Sequence, residues 1–322
     1  MATKNTTGSD LTLMTVMARF STEEAARAYF EGIRWAGGRS CPHCGNADES
    51  RIYALTANRA AKIRPGMYKC AECKDTFTVT VGTVMEDSHI PLNKWLIAFY
   101  MMCASKTQIS ALQLQRQLEI GSYHSALFLC HRIRFALADI FPADQLTGIV
   151  EADETYLGGR MHGKGRGYVG NKTPVVSLVE RGGRVRSRVV DTVTGKAIAR
   201  LLREHVDQGA HLNTDESPLY TKVGGDFSSH DTVNHSVEEY ARQDESGRLA
   251  TTNTVEGFFG NSKRSIDGTH HNISRKHTPL YFAELDHKYN TRKMTDGERT
   301  VVAIRRMEGK RLMLHSPQRK AS

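Results

Sequence analysis

Residues 147–157 read TGIVEADETYL, an apolar, strand-like run that carries Glu151, Asp153 and Glu154. Alternation puts Glu151, Asp153 and Thr155 on one face. Acids inside a stretch this apolar need a chemical reason. Downstream, residues 174–180 (PVVSLVE) and 184–191 (RVRSRVVD) flank the turn Arg181-Gly182-Gly183 and read as a hairpin. Residues 194–207 (TGKAIARLLREHVD) read as a helix capped by Thr194, with Ala197, Leu201, Leu202 and Val206 inward. A short strand, 210–215 (AHLNTD), ends on Asp215. Residues 253–266 (NTVEGFFGNSKRSI) read as a later helix despite Gly257 and Gly260. That helix carries Glu256 and, two turns on along the same stripe, Lys263. Three strands, a helix, a strand and a later helix is the element order of an RNase H-like fold.

Those acids have a chemistry in common. Cleaving and joining phosphodiesters needs little covalent help from protein, because two metal ions about 3.5–4 Å apart can activate the nucleophile and stabilise the leaving oxygen. Hard cations such as Mg²⁺ or Mn²⁺ take carboxylate oxygens and water. Asp153, Asp215 and Glu256 supply carboxylates from three separate elements. Singly, each has a plainer role: Asp215 as a turn or cap residue, Glu256 as a solvated helix acid. Glu154 and Glu216 adjoin the candidates. Tyr156 reads as packing, and Gly158 to Lys172 as a flexible basic loop.

Further upstream, Cys41-x-x-Cys44 and Cys70-x-x-Cys73 stand 25 residues apart. Two such knuckles on neighbouring hairpins complete a tetrahedral thiolate shell for a structural Zn²⁺. Pro42 and Gly45 supply turn geometry, and Tyr68, Phe77, Val79 and Val81 supply strand-like alternation. His43 lies inside the first knuckle, where four cysteines already fill the shell. Cys103 and Cys130 read as buried core thiols. Ser21 and Glu24 suggest a capping box for a helix over 21–35, with Ala25, Tyr29, Ile33 and Trp35 on one face. Residues 91–140 read as helices. Leu92–Cys103 is apolar, Thr107 caps a second helix to about Glu119, and Ser122 caps a third with Ala126, Cys130, Ile133 and Leu137 inward. The Gly121 turn, with Arg116, His131, Arg132 and Arg134 nearby, fits a helix-turn-helix as well as an ordinary bundle.

The whole chain has 322 residues, a net charge of +9 and a pI near 9.3. That balance suits a polyanionic partner. No apolar run is long enough to span a bilayer, and the polar N-terminus does not resemble a secretory signal. A cytoplasmic, nucleoid-associated protein is expected, with no membrane partner.

Several motifs together resemble the IS1595-type, ISXO2-like insertion-sequence transposases, over about residues 18–293. They are FSTEEAARAYF at 20–30, IRW at 33–35, CPHCG at 41–45, VGTVM at 81–85 and SALQL at 110–114. Further on come EADETYLGG at 151–159, TDES at 214–217, HSVEEY at 235–240, NTVEGFFGNSKR at 253–264, GTHHNIS at 268–274 and YNTR at 289–292. The resemblance implies a DDE-type enzyme that cleaves element ends and transfers strands with Mg²⁺ or Mn²⁺. Its partners would be DNA at terminal inverted repeats, target DNA and a further copy of the chain on paired ends. Asp153, Asp215 and Glu256 carry over as the metal ligands and Lys263 as the downstream lysine. The family's third position is Asn or Glu, and Asn253 lies one turn before Glu256; a carboxylate binds a hard cation better than an amide. Phe259 stands where the family usually has Trp.

The expected class is multi-domain α+β. A tail and helix cover 1–37, a zinc ribbon 38–90 and a helical, helix-turn-helix-like DNA-binding part 91–145. An RNase H-like α/β catalytic domain covers 146–300, and a basic tail 301–322. Two alternatives stand beside the transposase reading: an inactive zinc-containing DNA-binding regulator, and an RNase H-like nuclease that cuts without joining.

Overall fold

The computed structural model describes residues 8–138, 144–159, 170–234, 241–243 and 247–313. Most of the expected basic loop, the HSVEEY motif and the ends of both expected tails lie outside those residues. The chain packs as two compact units, residues 1–137 with 293–322, and residues 138–292.

In the first unit, α1 (Leu13–Arg19) starts at a capping box between Thr12 and Thr15. Its short length and single buried residue, Val16, explain why no periodicity announced it. Helix α2 (Glu23–Arg34) is capped by Thr22, one residue after the expected Ser21, and buries Ala26, Tyr29, Phe30 and Ile33. Strands β1 (Ile52–Ala54), β2 (Tyr68–Cys70) and β3 (Thr76–Phe77) form an antiparallel sheet in that order. Helices α3 (Leu92–Ala104), α4 (Ala111–Gln117) and α5 (Tyr123–Leu137) follow. Ser110, not Thr107, caps α4. Ala126, Cys130, Ile133 and Leu137 are buried as their spacing predicts.

The second unit is built on a five-stranded sheet. Its strands are β4 (Ile149–Leu157), β5 (Thr173–Glu180), β6 (Val185–Val189), β7 (His211–Asp215) and β8 (Ser229–Val233), in the order β6-β5-β4-β7-β8. β4, β5 and β6 pair antiparallel, whereas β7 joins β4 and β8 in parallel. Helices α6 (Gly195–His205) and α7 (Pro218–Gly224) cover one face, where Val150, Ala152 and Leu212 meet Ile198, Leu202 and Tyr220. Short strands β9 (Arg242–Gln243) and β10 (Leu249–Ala250) pair with each other before α8 (Asn253–His270). That helix and α9 (Thr278–Asn290) cover the other face, where Leu157, Val175 and Val185 meet Val255, Phe258, Phe259 and Phe282. Gly257 and Gly260 do not interrupt α8, because the aromatic pair between them is buried. An open strand edge is a liability, and α9 covers that of β6. Asp286 accepts from the Ser187 N–H at 2.8 Å, and Asn290 accepts from the Val185 N–H at 2.7 Å.

The stretch expected as a basic tail begins instead as part of the first unit's core. Helix α10 (Asp296–Arg305) buries Val301, Ala303 and Ile304, and Met307 follows them inward. The Arg34 side chain, 2% exposed, grips Glu308 with both Nε (2.5 Å) and Nη2 (2.7 Å), and its Nη1 reaches the Val79 carbonyl at 2.8 Å. Apolar residues spaced among arginines masked this helix in the sequence.

Candidate active site and metal centre

Register aligns the first two acids. Val150 pairs with Leu212 and Glu151 with Asn213 in the parallel ladder. Continuing that offset sets Asp153 level with Asp215 on neighbouring strands and on the same face. The third acid comes from α8, and one buried carboxylate fixes where α8 begins. Glu151 is fully buried. Its Oε2 accepts the N–H groups of Thr254 (2.8 Å) and Val255 (3.0 Å), and its Oε1 accepts the Thr254 hydroxyl at 2.8 Å. The nominal cap, Thr252, makes no side-chain capping bond. Glu151 therefore does the capping across the chain, satisfying orphan N–H donors and meeting the positive end of the helix. Arg181 neutralises it from Nε (3.0 Å) and Nη2 (2.8 Å), and donates to the Leu249 carbonyl at 2.8 Å. The chain entering α8 is thus tied to β4. The sequence alternation puts Glu151 on the face of Asp153 without giving it a role; an acid within an apolar strand, with Arg181 in the following turn, is the signal available there.

Two residues along the same face, Asp153 has no such compensation. Burial pushes its carboxyl up to about 7; the Glu154 N–H donated at 2.7 Å opposes that, and the charges of Glu154, Asp215 and Glu256 reinforce it. Those three acids thus act on Asp153 electrostatically. Their oxygens are not packed as tightly as a single-ion cage: among the described residues, the four cysteines are the set of three or more ligating side chains whose donor atoms all lie within 4.8 Å. Burial also raises Glu154, against the hydrogen bond that the buried Tyr220 hydroxyl donates at 2.8 Å. Asp215 Oδ1 accepts the Ser217 N–H at 3.1 Å, so it does hold a turn as well. Glu256 is exposed and accepts the Thr252 hydroxyl at 2.8 Å; Lys263 and Asn253 are exposed on α8. Phe259, in place of the family's Trp, is buried in the core beneath α8.

The ribbon brings its cysteines together. Cys41 and Cys73 sulfurs lie 3.7 Å apart, as do those of Cys44 and Cys70. A tetrahedral ion with Zn–S bonds of about 2.3 Å requires an S···S edge of about 3.8 Å, so the set fits Zn²⁺ and is far too open for disulfides. Both knuckles turn through a positive φ just after the second cysteine, at Gly45 (76°) and Lys74 (65°). The backbone N–H of Cys73, followed by that of Glu72, helps hold the Cys70 thiol down at about 6, whereas at Cys73 the Asp75 N–H is outweighed by desolvation and the neighbouring sulfurs, which push that thiol up to about 12. His43 turns to the Thr76 carbonyl at 3.3 Å and is no ligand. Trp35 stacks edge-on against Tyr68 and Phe77 beside the knuckles.

The helical part corrects one expectation. His131, Arg132 and Arg134 are buried in α5, so they do not form a DNA-facing surface; Arg116 on α4 is exposed. Helix α5 is sunk in the core from Leu129 onward, which the basic residues on its sequence concealed. No helix among the described residues is long and apolar enough to cross a membrane.

Residues 21–76 match the transposase zinc-ribbon domain, and residues 145–290 the ISXO2-like transposase domain. In domain composition the chain is a zinc-ribbon transposase. It belongs to the IS1595 family of insertion-sequence transposases, the one its motifs resemble. A protein in the transposable element ISH50 of Halobacterium salinarum is 27% identical over 279 residues, covering 81% of this chain and 89% of that protein.

Three outcomes follow. Metal analysis of purified protein should find about one Zn²⁺ per chain. Chelation should unfold the ribbon, whose own core is too small to stand alone, and shift the fluorescence of Trp35 to the red; an unchanged spectrum after complete zinc removal would contradict this. Glu151→Ala should lower stability by about 3–5 kcal/mol in urea titrations, because it strands Arg181 and uncaps α8; a change within 0.5 kcal/mol, roughly that of a surface substitution, would remove Glu151 from this role. In the metal-free protein Asp153 should contribute a loss of stability as pH rises from about 4 to about 7. Over that window folded Asp153 keeps a proton that the unfolded chain, with its carboxyl near 3.8, has released. Asp153→Asn should flatten that decline and raise Tm at pH 8; an unaltered pH profile would count against the burial of this charge.

Proposed function

We propose that this chain is a DNA transposase that cleaves the ends of its element and joins them to target DNA, through an RNase H-like domain with Asp153, Asp215 and Glu256 as its acidic triad. The observation that carries this is the state of Asp153: a strand carboxylate, level with Asp215, held up near 7 by burial and by surrounding acids. An arrangement of uncompensated acids destabilises the empty protein and suits a group that binds hard cations. The sheet order and its mixed strand directions support the RNase H-like reading.

Asp153, Asp215 and Glu256 would hold Mg²⁺ or Mn²⁺. When bound, a pair of such ions lowers the pKa of the attacking water or 3′-hydroxyl and stabilises the leaving oxygen. The chain's own residues do the rest. Glu151 and Arg181 orient α8, and with it Glu256. Thr252 holds the Glu256 carboxylate at 2.8 Å. Tyr220 restrains Glu154 beside Asp153. Lys263, two turns along α8 from Glu256, is available to a DNA phosphate. The ribbon and the exposed part of α4 and its turn are the element-end contacts, and pairing two ends calls for more than one copy of the chain.

The test is strand transfer on labelled DNA carrying the element's terminal inverted repeats, with Mg²⁺. Wild type should give joined products. Asp153→Ala, Asp215→Ala and Glu256→Ala should each lose at least about a thousandfold in rate, equivalent to about 4 kcal/mol of barrier, while still binding the ends. Asn253→Ala should remain active. Loss in Asn253→Ala with survival of Glu256→Ala would move the third ligand. Cleavage without joining would make the chain a nuclease, and end binding with neither would make it a regulator.

A further inference from the structure

The second unit carries a groove between α6 and α7 that the chemistry above leaves unused. Ala199, Leu219 and Val223 give it an apolar floor, and Lys196, Arg200 and Lys222 line its walls. Those three cations are exposed and have no carboxylate partner among the described residues. Lys196 and Arg200 project from the side of α6 opposite Ile198, Leu201 and Leu202, which face the sheet. They are therefore fixed on a rigid element. Charge along the groove is uneven: toward the end of α6, Arg203 is matched to Asp226 at 2.7 Å and Glu204 joins the lining. The positive charge is left at the start of α6.

Topology says where that start lies. Helix α6 runs back along the sheet to deliver the chain to β7, and β7 ends on Asp215. The beginning of α6 is thus at the end of the sheet where Asp215 sits. Helix α7 leaves from that same end, starting at Pro218, and the two helices meet there: a Cβ on Gly195 would lie 3.6 Å from the Leu219 carbonyl.

We propose that this groove seats the sugar-phosphate backbone of the DNA next to the bond that is cut, with Lys196, Arg200 and Lys222 on its phosphates. The proposal rests on the reading that Asp215 acts on DNA. Three unmatched cations on packed helices, opening at the end of the sheet that carries Asp215, complement a phosphate track. Contacts of this kind position a duplex without reading its sequence.

The experiment compares full-length wild type with a variant carrying Lys196→Glu, Arg200→Glu and Lys222→Glu. The probes are labelled duplexes of the element end, with and without flanking DNA, titrated over a range of KCl. On the flanked duplex the variant should bind at least about tenfold more weakly, and the slope of log K against log salt should shrink by about 3. On the trimmed duplex the two proteins should bind alike. Equal affinity and slope on the flanked duplex would overturn the proposal. So would an unchanged DNA affinity with lost self-association in sedimentation, which would give the groove to a second copy of the chain. If the triple reversal fails to fold, Lys196→Gln, Arg200→Gln and Lys222→Gln together should give the same direction with a smaller drop, and no drop would refute it. Wild type that binds flanked DNA in this groove but cuts none would sink the enzymatic reading and leave the groove standing.

Discussion

A carboxylate taken out of water must be given partners, and Glu151 receives a full set. Two helix N–H groups, a threonine hydroxyl and an arginine converge on it. Each of these bonds is charge-assisted, and together they span the sheet and a helix about a hundred residues further along the chain. Without this clamp, the start of α8 would rest on apolar packing and on the bonds of Asn213 to the chain just before it. Such packing fixes depth better than it fixes rotation along the strand direction. Because Glu256 sits in the first turn of α8, the clamp also sets how far it stands from the strand acids.

Glu151 and Asp153 make an instructive pair. They lie two residues apart on one strand and one face, in similarly apolar surroundings, yet their fates differ. Glu151 is neutralised and capped, a structural acid. Asp153 is ringed by acids and pushed toward its protonated form. Folding alone would favour replacing it; keeping it makes sense when something positive arrives. The same logic separates the cysteines. Cys103 and Cys130 disappear into the core, while the ribbon four are arrayed at the edge length of a metal tetrahedron.

Much of this was legible in the sequence because local pattern and tertiary role coincide. The strand alternation of residues 149–157, the Thr194 cap, the cysteine spacing and the buried stripe of α5 all read directly. What escaped reading depended on contacts distant in sequence. The capping role of Glu151 needs residues 254 and 255, and the burial of α10 depends on α2 and α3. Helix α1 buries too little to leave a period. The charges of His131, Arg132 and Arg134 suggest exposure in the sequence, whereas α5 packs into the core of its unit and buries all three. Motif and strand order single out Asp153 and Asp215 as candidates, and their alignment needs the register of β4 on β7.

The central claim is that the acids around Asp153 form a cation site. It is tested most directly by diffraction from crystals soaked in Mn²⁺, using the anomalous signal of the ion. Density for two ions, about 3.5–4 Å apart, contacting Asp153, Asp215 and Glu256, is the predicted result. Crystals that take up Mn²⁺ elsewhere while leaving these three carboxylates bare would contradict it.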